Sequence, residues 1–388
     1  MRVIKIFLLF VCCISLDVQS QTFLSDTLGI NEDGSVIIAK SLALPGWILG
    51  VDVDSTDNLL FIRYRNLSKN ETSLKNKGGI SVYSLADQRM LWQRPVNYFN
   101  QDPKLTSEGV LFVTMGKATS LLDLKTGNEV WKKKKMIPYC VDAKNRMFLA
   151  YKGSYMNGVS NELEGHSLAT GEKMWSRKMS HVYGWNESGL LDDSTRLIVS
   201  DGIHLVHMGN GEGPSYAMPT GASDYKEAVA LGALGVVTGV LTGFAAVPTG
   251  PKKVMELVSN VLSDDTVFYV ASRENLFCLD RQLQPKWGYP IPDGMGSRSH
   301  LFARGDSLYM INMGTGYRNT IFDTSEAYAH EYLRLKVGWP FIACFDKRKG
   351  EKVWFRQLSD KKEMVEEFDI NWEEDALMVL FSYAIFWI

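Results

Sequence analysis

The sequence predicts an all-β protein, a β-propeller of about seven four-stranded blades. Three observations support this prediction: a nine-residue motif recurs along the chain, an apolar strand precedes each copy, and neighbouring copies follow at regular intervals. The intervals match propeller blades, which are about 40 to 50 residues long because each consists of four short antiparallel strands. Six or eight blades remain alternatives, because one repeat in the middle of the chain is strongly altered.

The motif is clearest in residues 123–131, which read Asp-Leu-Lys-Thr-Gly-Asn-Glu-Val-Trp. An aspartate at the start of a turn accepts hydrogen bonds from backbone amides, and a glycine supplies the positive φ angle that the turn needs. The tryptophan then lies on the returning strand, where its large ring can pack between neighbouring sheets. The motif therefore predicts a strand, a tight turn and a second strand.

Four further copies repeat this pattern. Residues 167–175 and 346–354 have the same length, residues 84–92 lack the glycine, and residues 280–287 are one residue shorter. The residues that define the five copies are Ser84, Trp92, Asp123, Gly127, Trp131, Ser167, Gly171, Trp175, Asp280, Trp287, Asp346, Gly350 and Trp354. We expect the tryptophans to occupy equivalent positions in their blades and to be largely buried.

The first three tryptophans of the motif copies are spaced at intervals of one blade. Trp92, Trp131 and Trp175 are 39 and 44 residues apart. This regularity sets the expected blade length for the rest of the chain.

Two longer intervals indicate inserts. Trp175 and Trp287 are 112 residues apart. An insert at about 219–254 leaves room for two blades, one of which has a degenerate motif. Trp287 and Trp354 are 67 residues apart, and an insert at about 313–339 leaves room for a single blade.

The two ends of the chain predict how the ring closes. Residues 35–42 form an apolar strand without a blade of their own, and residues 377–388 resemble a hairpin. Pairing the two would build one blade from both termini and leave no exposed sheet edge. We therefore expect a single propeller domain over residues 21–388, closed by its N- and C-terminal strands.

The first residues have the features of a secretory signal peptide. Basic residues precede the apolar run 6–14, and residues 18–20 resemble a cleavage site. We expect residues 1–20 to be removed and the mature chain to be exported, either to the periplasm or out of the cell. A lipid attached to Cys12 is not expected, because Val11 occupies a position that requires a smaller residue.

Composition excludes some partners. The formal net charge of −2 gives no indication of binding to nucleic acid or to an anionic membrane. Three cysteines, Cys140, Cys278 and Cys344, remain after the predicted cleavage. An odd number of thiols cannot all pair, so we expect buried free cysteines rather than a disulfide framework.

The first insert contains a long uncharged segment. Residues 228–247 carry no charge, and Gly235, Gly239 and Gly243 recur at every fourth position. On a helix these glycines would share one face and allow close backbone contact. Three alternatives follow: a glycine-rich segment that covers the propeller, a helix for self-association or partner docking, or a segment inserted into a membrane.

The motif resembles that of the PQQ-like β-propeller superfamily. This group includes the quinoprotein dehydrogenases and the BamB-type scaffolds of outer-membrane protein assembly. The dehydrogenases hold their quinone against a disulfide between adjacent cysteines and bind calcium through carboxylate and amide groups. The adjacent cysteines of this chain, Cys12 and Cys13, lie in the predicted signal peptide. The resemblance therefore implies the scaffold branch, and we expect neither a cofactor nor a metal ion.

The sequence thus predicts an exported, non-catalytic scaffold. Its partner would be a protein or peptide in the periplasm or at the outer membrane, where the chain would associate peripherally with the membrane or join an outer-membrane complex. The alternative is an enzyme on the same fold, either a quinone-dependent dehydrogenase or a carbohydrate-active hydrolase. Carboxylates or histidines converging at the centre of the propeller would favour that alternative.

Overall fold

The computed structural model describes most of the chain as β-structure. The described residues are 24–42, 44, 46–114, 117–154, 158–179, 187–218, 222–224, 252–255, 257–319, 332–361, 363–371, 376–381 and 385–387. They contain 33 β-strands. None of their segments forms a helix with the length and apolar character required to cross a membrane. The chain divides into two compact units, Met1–Thr114 with Leu121–Val130, and Met115–Ser120 with Trp131–Ile388.

The first unit contains an N-terminal hairpin and the first blade. Strand β1 (Leu24–Ile30) pairs antiparallel with β2 (Val36–Ser41) in a two-stranded sheet. The first blade has the strand order β3-β4-β5-β6, with β3 (Trp47–Asp54), β4 (Leu59–Leu67), β5 (Leu74–Ser84) and β6 (Arg89–Asn97).

The strands of the second blade are divided between the two units. They are β7 (Gln101–Thr106), β8 (Gly109–Thr114), β9 (Ala118–Leu122) and β10 (Glu129–Lys134). Within the first unit, side chains of both blades form one apolar core, composed of Leu59, Phe61, Ile80, Val82, Val96, Val110, Phe112 and Leu122.

The second unit contains the remaining blades. The third and fourth consist of β11 (Met136–Asp142), β12 (Met147–Ser154), β13 (Gly158–Ser167), β14 (Lys173–Lys178), β15 (Glu187–Leu190), β16 (Thr195–Val199), β17 (Gly202–His207) and β18 (Ser215–Ala217). Two strands, β19 (Ala222–Asp224) and β20 (Lys252–Met255), follow outside the blades. The fifth blade is formed by β21 (Leu262–Ser263), β22 (Val267–Ala271), β23 (Asn275–Asp280) and β24 (Pro285–Pro290).

The sixth blade has the order β25-β26-β29-β30, so the chain leaves it and returns. Its strands are β25 (Ser299–Arg304), β26 (Ser307–Asn312), β29 (Phe341–Asp346) and β30 (Lys352–Gln357), with β27 (Thr315–Asn319) and β28 (Tyr332–Lys336) between them in sequence. The last sheet has three described strands, β31 (Val365–Asn371), β32 (Ala376–Phe381) and β33 (Ile385–Trp387).

In the second unit an apolar core lies between each pair of consecutive sheets from the third blade onward. The third and fourth blades share a core that includes Leu149 and Ile198. The next cores join the fourth blade to the fifth, the fifth to the sixth, and the sixth to the last sheet. Because alternate residues of a strand point to opposite faces, a sheet can contribute to two cores at once. The predicted all-β propeller is thereby confirmed, with seven blade sheets among the described residues.

The predicted closure by terminal strands is not seen in the described residues. The partner of β2 is β1, and the last sheet consists of β31, β32 and β33. Closure through the termini therefore stays a prediction. The signal-peptide prediction for residues 1–20 falls outside the described residues.

The two inserts combine in one sheet that belongs to no blade. Its strand order is β19-β20-β27-β28, with all neighbours antiparallel. The first two strands come from the segment between the fourth and fifth blades, and the other two from the excursion within the sixth. The sequence predicts them as two separate inserts, at about 219–254 and 313–339. We call this sheet the accessory sheet.

Candidate partner-binding site

The aspartate of the clearest motif copy is engaged in its turn. Oδ1 of Asp123 accepts hydrogen bonds from the backbone amide and the hydroxyl of Thr126, both at 2.7 Å. Chiefly because of the hydroxyl bond, the pKa of Asp123 lies below its usual value. The amide of Gly127 donates to the Asp123 carbonyl at 2.8 Å, and Gly127 has a φ of +69°. This carboxylate therefore fixes a turn.

Two other copies form the same turn. Asp346 accepts a hydrogen bond of 2.8 Å from the amide of Lys349, which is the main reason its pKa is lowered. The amide of Gly350 donates to the Asp346 carbonyl, and that of Gly171 to the Ser167 carbonyl, each at 2.8 Å. Both glycines have positive φ angles, as the motif predicts.

The altered copies keep the turn with other residues. Gln88 and Leu283 adopt φ angles of +52° and +58° where the complete motif has glycine. Ser84 Oγ accepts the amide three residues on at 3.0 Å, and Asp280 Oδ1 accepts the amide four residues on at 2.8 Å. The degenerate fourth blade also has the turn, with Gly211 at +77°. The turn therefore tolerates loss of glycine at the cost of backbone strain.

Three tryptophans join one blade to the turn of the next. Their indole Nε1 atoms donate to backbone carbonyls of that turn: Trp92 to Leu124 at 2.7 Å, Trp131 to Leu168 at 2.8 Å, and Trp175 to Met208 at 2.7 Å. Each ring also covers the turn glycine; a Cβ added to Gly127 would approach Trp92 Cδ2 to 2.7 Å. We call this combination the Trp–turn contact.

Two tryptophans depart from this pattern. Trp287 covers Gly350, but its Nε1 is buried and has no hydrogen-bond partner among the described residues. Trp354 is 38% exposed, whereas Trp131 and Trp175 are 9% and 8% exposed. The expectation of a largely buried ring therefore fails at Trp354, because the described part of the last sheet offers it no motif turn.

The strand register places four tryptophans at one equivalent position. In each case a β-bulge adds one residue to the fourth strand directly before the tryptophan, and the tryptophan lies opposite a residue of the third strand: Val82 faces Trp92, Gly165 faces Trp175, Cys278 faces Trp287 and Cys344 faces Trp354. Two of the cysteines, Cys278 and Cys344, occupy these positions as free thiols. The motif residues and both of these thiols thus belong to the packing of the blades.

In the accessory sheet, segments distant in sequence meet outside the blades. Val254 of β20 pairs with Arg318 of β27, and Met255 pairs with Tyr317. On the outer sides, Ala222 of β19 pairs with Val254, and β28 pairs with β27 over five residues. The predicted docking residues Gly235, Gly239 and Gly243 lie between β19 and β20 in sequence, outside the described residues.

A fully buried asparagine holds the base of the second insert. Asn312, with no exposed surface, donates from Nδ2 to the carbonyls of Met295 at 2.9 Å and Trp339 at 2.5 Å. Its Oδ1 accepts from the amide and hydroxyl of Ser297 at 2.9 Å and from the hydroxyl of Ser299 at 3.1 Å. Asn312 therefore fixes both the departure and the return of the chain. Nothing in the local pattern distinguished it.

The next residues extend this anchor into the accessory sheet. Thr315, the first residue of β27, is 2% exposed, and its carbonyl accepts a hydrogen bond of 2.9 Å from the amide of Arg298. The amide of Val337, just after β28, donates to the carbonyl of Gly314 at 2.9 Å. The β27–β28 pair is therefore attached to the sixth blade through backbone hydrogen bonds.

An arginine that sequence reasoning missed links the third and fourth blades. The guanidinium of Arg177 donates to the carbonyls of Leu205 and Gly213, both at 2.8 Å, and to Ser215 Oγ at 2.5 Å. Burial lowers the pKa of Arg177. His204 Nδ1 lies 2.8 Å from the same hydroxyl, and burial lowers the pKa of His204 to about 4. The histidine is therefore neutral at neutral pH.

Two observations on the described residues concern metal and quinone binding. Within these ranges, no group of three or more histidine, cysteine, aspartate or glutamate side chains is placed to hold a metal ion. Cys278 and Cys344 lie in different sheets, so they are not the adjacent pair that the quinoprotein dehydrogenases use.

Several solved structures are distantly similar to this chain. BamB from Moraxella catarrhalis is 12% identical, with 87% of this chain and 84% of that chain covered and a TM-score of 0.42. The C-terminal WD40 domain of Sif2 is 10% identical (94% and 91% covered, TM-score 0.38), and dihydro-heme d1 dehydrogenase NirN in complex with DHE is 12% identical (92% and 68% covered, TM-score 0.32). Similarities at this level bear on neither activity nor partner.

A comparison with curated proteins gives no match. A family model described as outer membrane protein assembly factor BamB matches residues 69–284, which is more than half of the chain. This chain therefore belongs to that family of PQQ-like β-propellers.

Proposed function

We propose that the chain is an exported, non-catalytic scaffold that binds a protein or peptide partner in outer-membrane protein assembly. Membership of the outer membrane protein assembly factor family carries this proposal. Export rests on the predicted signal peptide at residues 1–20, and the mature chain would act in the periplasm or at the outer membrane.

The chemistry of the motif supports a scaffold rather than an enzyme. The carboxylates of Asp123 and Asp346 accept backbone hydrogen bonds within their turns. These bonds lower both pKa values and hold the side chains in place. A catalytic acid or base needs a free face toward a substrate and a pKa near the working pH. The repeated carboxylates therefore serve the fold.

The accessory sheet is the part we assign to partner binding. It lies outside the hydrogen-bonded ladders of the blades, because β26 pairs directly with β29 from Ser307↔Asp346 to Asn312↔Phe341. The sixth blade is thus complete without β27 and β28. Residues added between complete blades commonly carry binding functions, since a rigid framework holds them in place.

The test is a capture experiment with a matched deletion. Tagged full-length chain and a variant lacking residues 225–251 are incubated with detergent-solubilised outer membranes, and captured proteins are identified by mass spectrometry. We expect the full-length chain to enrich components of outer-membrane protein assembly and the deletion variant to lose them, with an unchanged circular dichroism spectrum. A chain carrying Gly34→Ala, in the exposed turn between β1 and β2, is the control and should capture normally.

Two results would contradict the proposal. If the full-length chain captured only proteins unrelated to outer-membrane assembly, the proposed role in that process would be wrong. Unaltered capture by the deletion variant would move the binding site away from the first insert.

A further inference from the structure

The four strands of the accessory sheet carry a concentration of positive charge. They contain five basic residues and one acidic residue, which are Lys252, Lys253, Arg318, Arg334, Lys336 and Asp224. The strands therefore have a formal charge of +4, whereas the whole chain has −2. Charge of one sign gathered in one region attracts a partner of the opposite sign.

The register of the sheet places three of these basic residues on one face. Residues opposite each other on neighbouring strands share a face, and successive residues of a strand alternate between faces. Met255 lies opposite Tyr317, and Tyr317 lies opposite Arg334. Lys253 is two residues from Met255, and Lys336 is two residues from Arg334. These five residues therefore share one face, which we call the basic face.

The opposite face of the sheet is largely apolar. Its residues are Ala222, Asp224, Lys252, Val254, Gly316, Arg318, Leu333 and Leu335. Because Asp224 lies there, no acidic residue of the four described strands lies on the basic face. Leu335 is half-buried, whereas Lys336 of the basic face is exposed. An antiparallel sheet commonly covers its apolar face and leaves its polar face to solvent, so the basic face is the one available to a partner.

The spacing of the three basic residues matches an extended acidic segment. Alternate residues of a strand are about 7 Å apart, so Arg334 and Lys336 are separated by this distance along β28. Lys253 lies about 10 Å away across the sheet, because β27 separates β20 from β28. An extended segment also repeats its side chains on one side every 7 Å or so. Two carboxylates spaced two residues apart can therefore meet Arg334 and Lys336 together.

The composition of the basic face favours a polypeptide over a lipid surface. Tyr317 lies opposite Arg334, and Tyr332 is two residues before Arg334 on the same face. Tyrosine and arginine are enriched among the residues that dominate the binding energy of protein interfaces. Recognition of anionic lipid typically uses about four to eight clustered cations, and the basic face has three.

We propose that the basic face of the accessory sheet binds an extended acidic segment of the protein partner, whose carboxylates pair with Lys253, Arg334 and Lys336. This inference rests on the proposed function for the identity of the partner, but the charge requirement can be measured separately.

The first test titrates the full-length chain into a fluorescent peptide of eight alternating glutamate and serine residues. Fluorescence anisotropy measures binding at about 0.1 M ionic strength, where the Debye length is about 10 Å. A matched peptide has glutamine in place of each glutamate. We expect the glutamate peptide to bind about tenfold more tightly, because three exposed ion pairs each contribute modestly. Equal affinity for the two peptides would overturn the proposal.

Two adjacent lysines provide matched variants for the second test. Lys253 lies on the basic face and Lys252 on the opposite face, so Lys253→Glu and Lys252→Glu make the same charge change in one strand. We expect Lys253→Glu to weaken binding of the glutamate peptide about tenfold, and Lys252→Glu by less than about twofold. Arg334→Glu changes the same face from the second insert and should act like Lys253→Glu. Equal weakening by the Lys253 and Lys252 variants would show a general charge effect, and the proposal would fail.

The third test repeats the capture from outer membranes with both lysine variants. Lys253→Glu should lose the assembly proteins that Lys252→Glu still captures. If both variants capture these proteins equally, the basic face is not the docking surface, although the proposed function stands. If the peptides behave as expected but the full-length chain captures no assembly protein, the proposed function fails and the acidic-segment site stands.

Co-sedimentation with lipid vesicles completes the experiment. Vesicles of phosphatidylcholine with and without phosphatidylglycerol are incubated with the full-length chain and with Lys253→Glu. We expect neither protein to sediment preferentially with the anionic vesicles. Preferential sedimentation that Lys253→Glu abolishes, together with equal affinity for the two peptides, would assign the basic face to lipid and overturn the proposal.

Discussion

The Trp–turn contact predicts that one added methyl group in a turn destabilises two blades. Gly171 has a φ of +67°, and a Cβ at this position would lie 2.7 Å from Trp131 Cδ2. Left-handed backbone costs an alanine about 1–2 kcal/mol. Displacing the tryptophan adds about 1–3 kcal/mol of overpacking and about 1 kcal/mol for its hydrogen bond to Leu168. We therefore expect Gly171→Ala to reduce the free energy of unfolding by about 3–6 kcal/mol.

The variant Gly294→Ala measures the energetic cost of a left-handed backbone conformation alone, without displacement of a tryptophan. Its φ is +73°, and a Cβ there would meet nothing within 4 Å. Gly294→Ala should therefore cost only the backbone term, about 1–2 kcal/mol. Equilibrium unfolding in urea, followed by circular dichroism and by tryptophan fluorescence, measures both variants, with slopes compared to check that the transition is the same. Equal losses for Gly171→Ala and Gly294→Ala would refute the Trp–turn contact.

Four further predictions follow from the same structure. Trp175→Ala should cost about 3–5 kcal/mol in urea unfolding, and Trp354→Ala clearly less because that ring is partly exposed. Asn312→Leu should cost about 2–4 kcal/mol by removing the hydrogen bonds that this fully buried amide makes with the carbonyls of Met295 and Trp339 and with Ser297 and Ser299, and limited proteolysis should then cut the second insert faster. Because the pKa of His204 is lowered from 6.5 to about 4, the unfolded chain binds a proton at this histidine between these pH values and the folded chain does not, so the free energy of unfolding decreases as the pH falls through this range. His204→Gln should remove this decrease, measured as the urea midpoint at each pH. Purified protein supplied with quinone and calcium should oxidise neither alcohols nor sugars in a dye-linked assay, and turnover there would contradict the non-catalytic assignment.

The repeated parts of the fold could be predicted because their physics is local. The turn at Asp123 and Gly127 needs only a side-chain acceptor and a residue tolerant of positive φ, both visible within five positions of sequence. The same local rule could not show that Gln88 and Leu283 would take the strained conformation. The strands on either side hold these two turns in place, and a search for glycine in the sequence does not detect that effect.

The candidate site could not be predicted, because it depends on pairing between distant segments. Val254 and Arg318 pair in the accessory sheet, yet each belongs to an insert that local patterns show only as an interruption of the repeat. Buried polar groups were missed for a related reason. Glu164 and His166 alternate along β13 as solvent-facing residues would, and only the neighbouring blade shows that this face is covered.

One measurement directly tests the central claim, that the accessory sheet binds the partner. If both inserts form a single docking unit, deleting residues 225–251 or residues 320–331 should each abolish capture of the outer-membrane assembly partner. The double deletion should then cause no additional loss, because either single deletion already removes the site. Capture would be quantified by mass spectrometry against the full-length chain, with unfolding curves showing that the blades remain folded. Normal capture by either single deletion, or losses that add in the double deletion, would contradict the account.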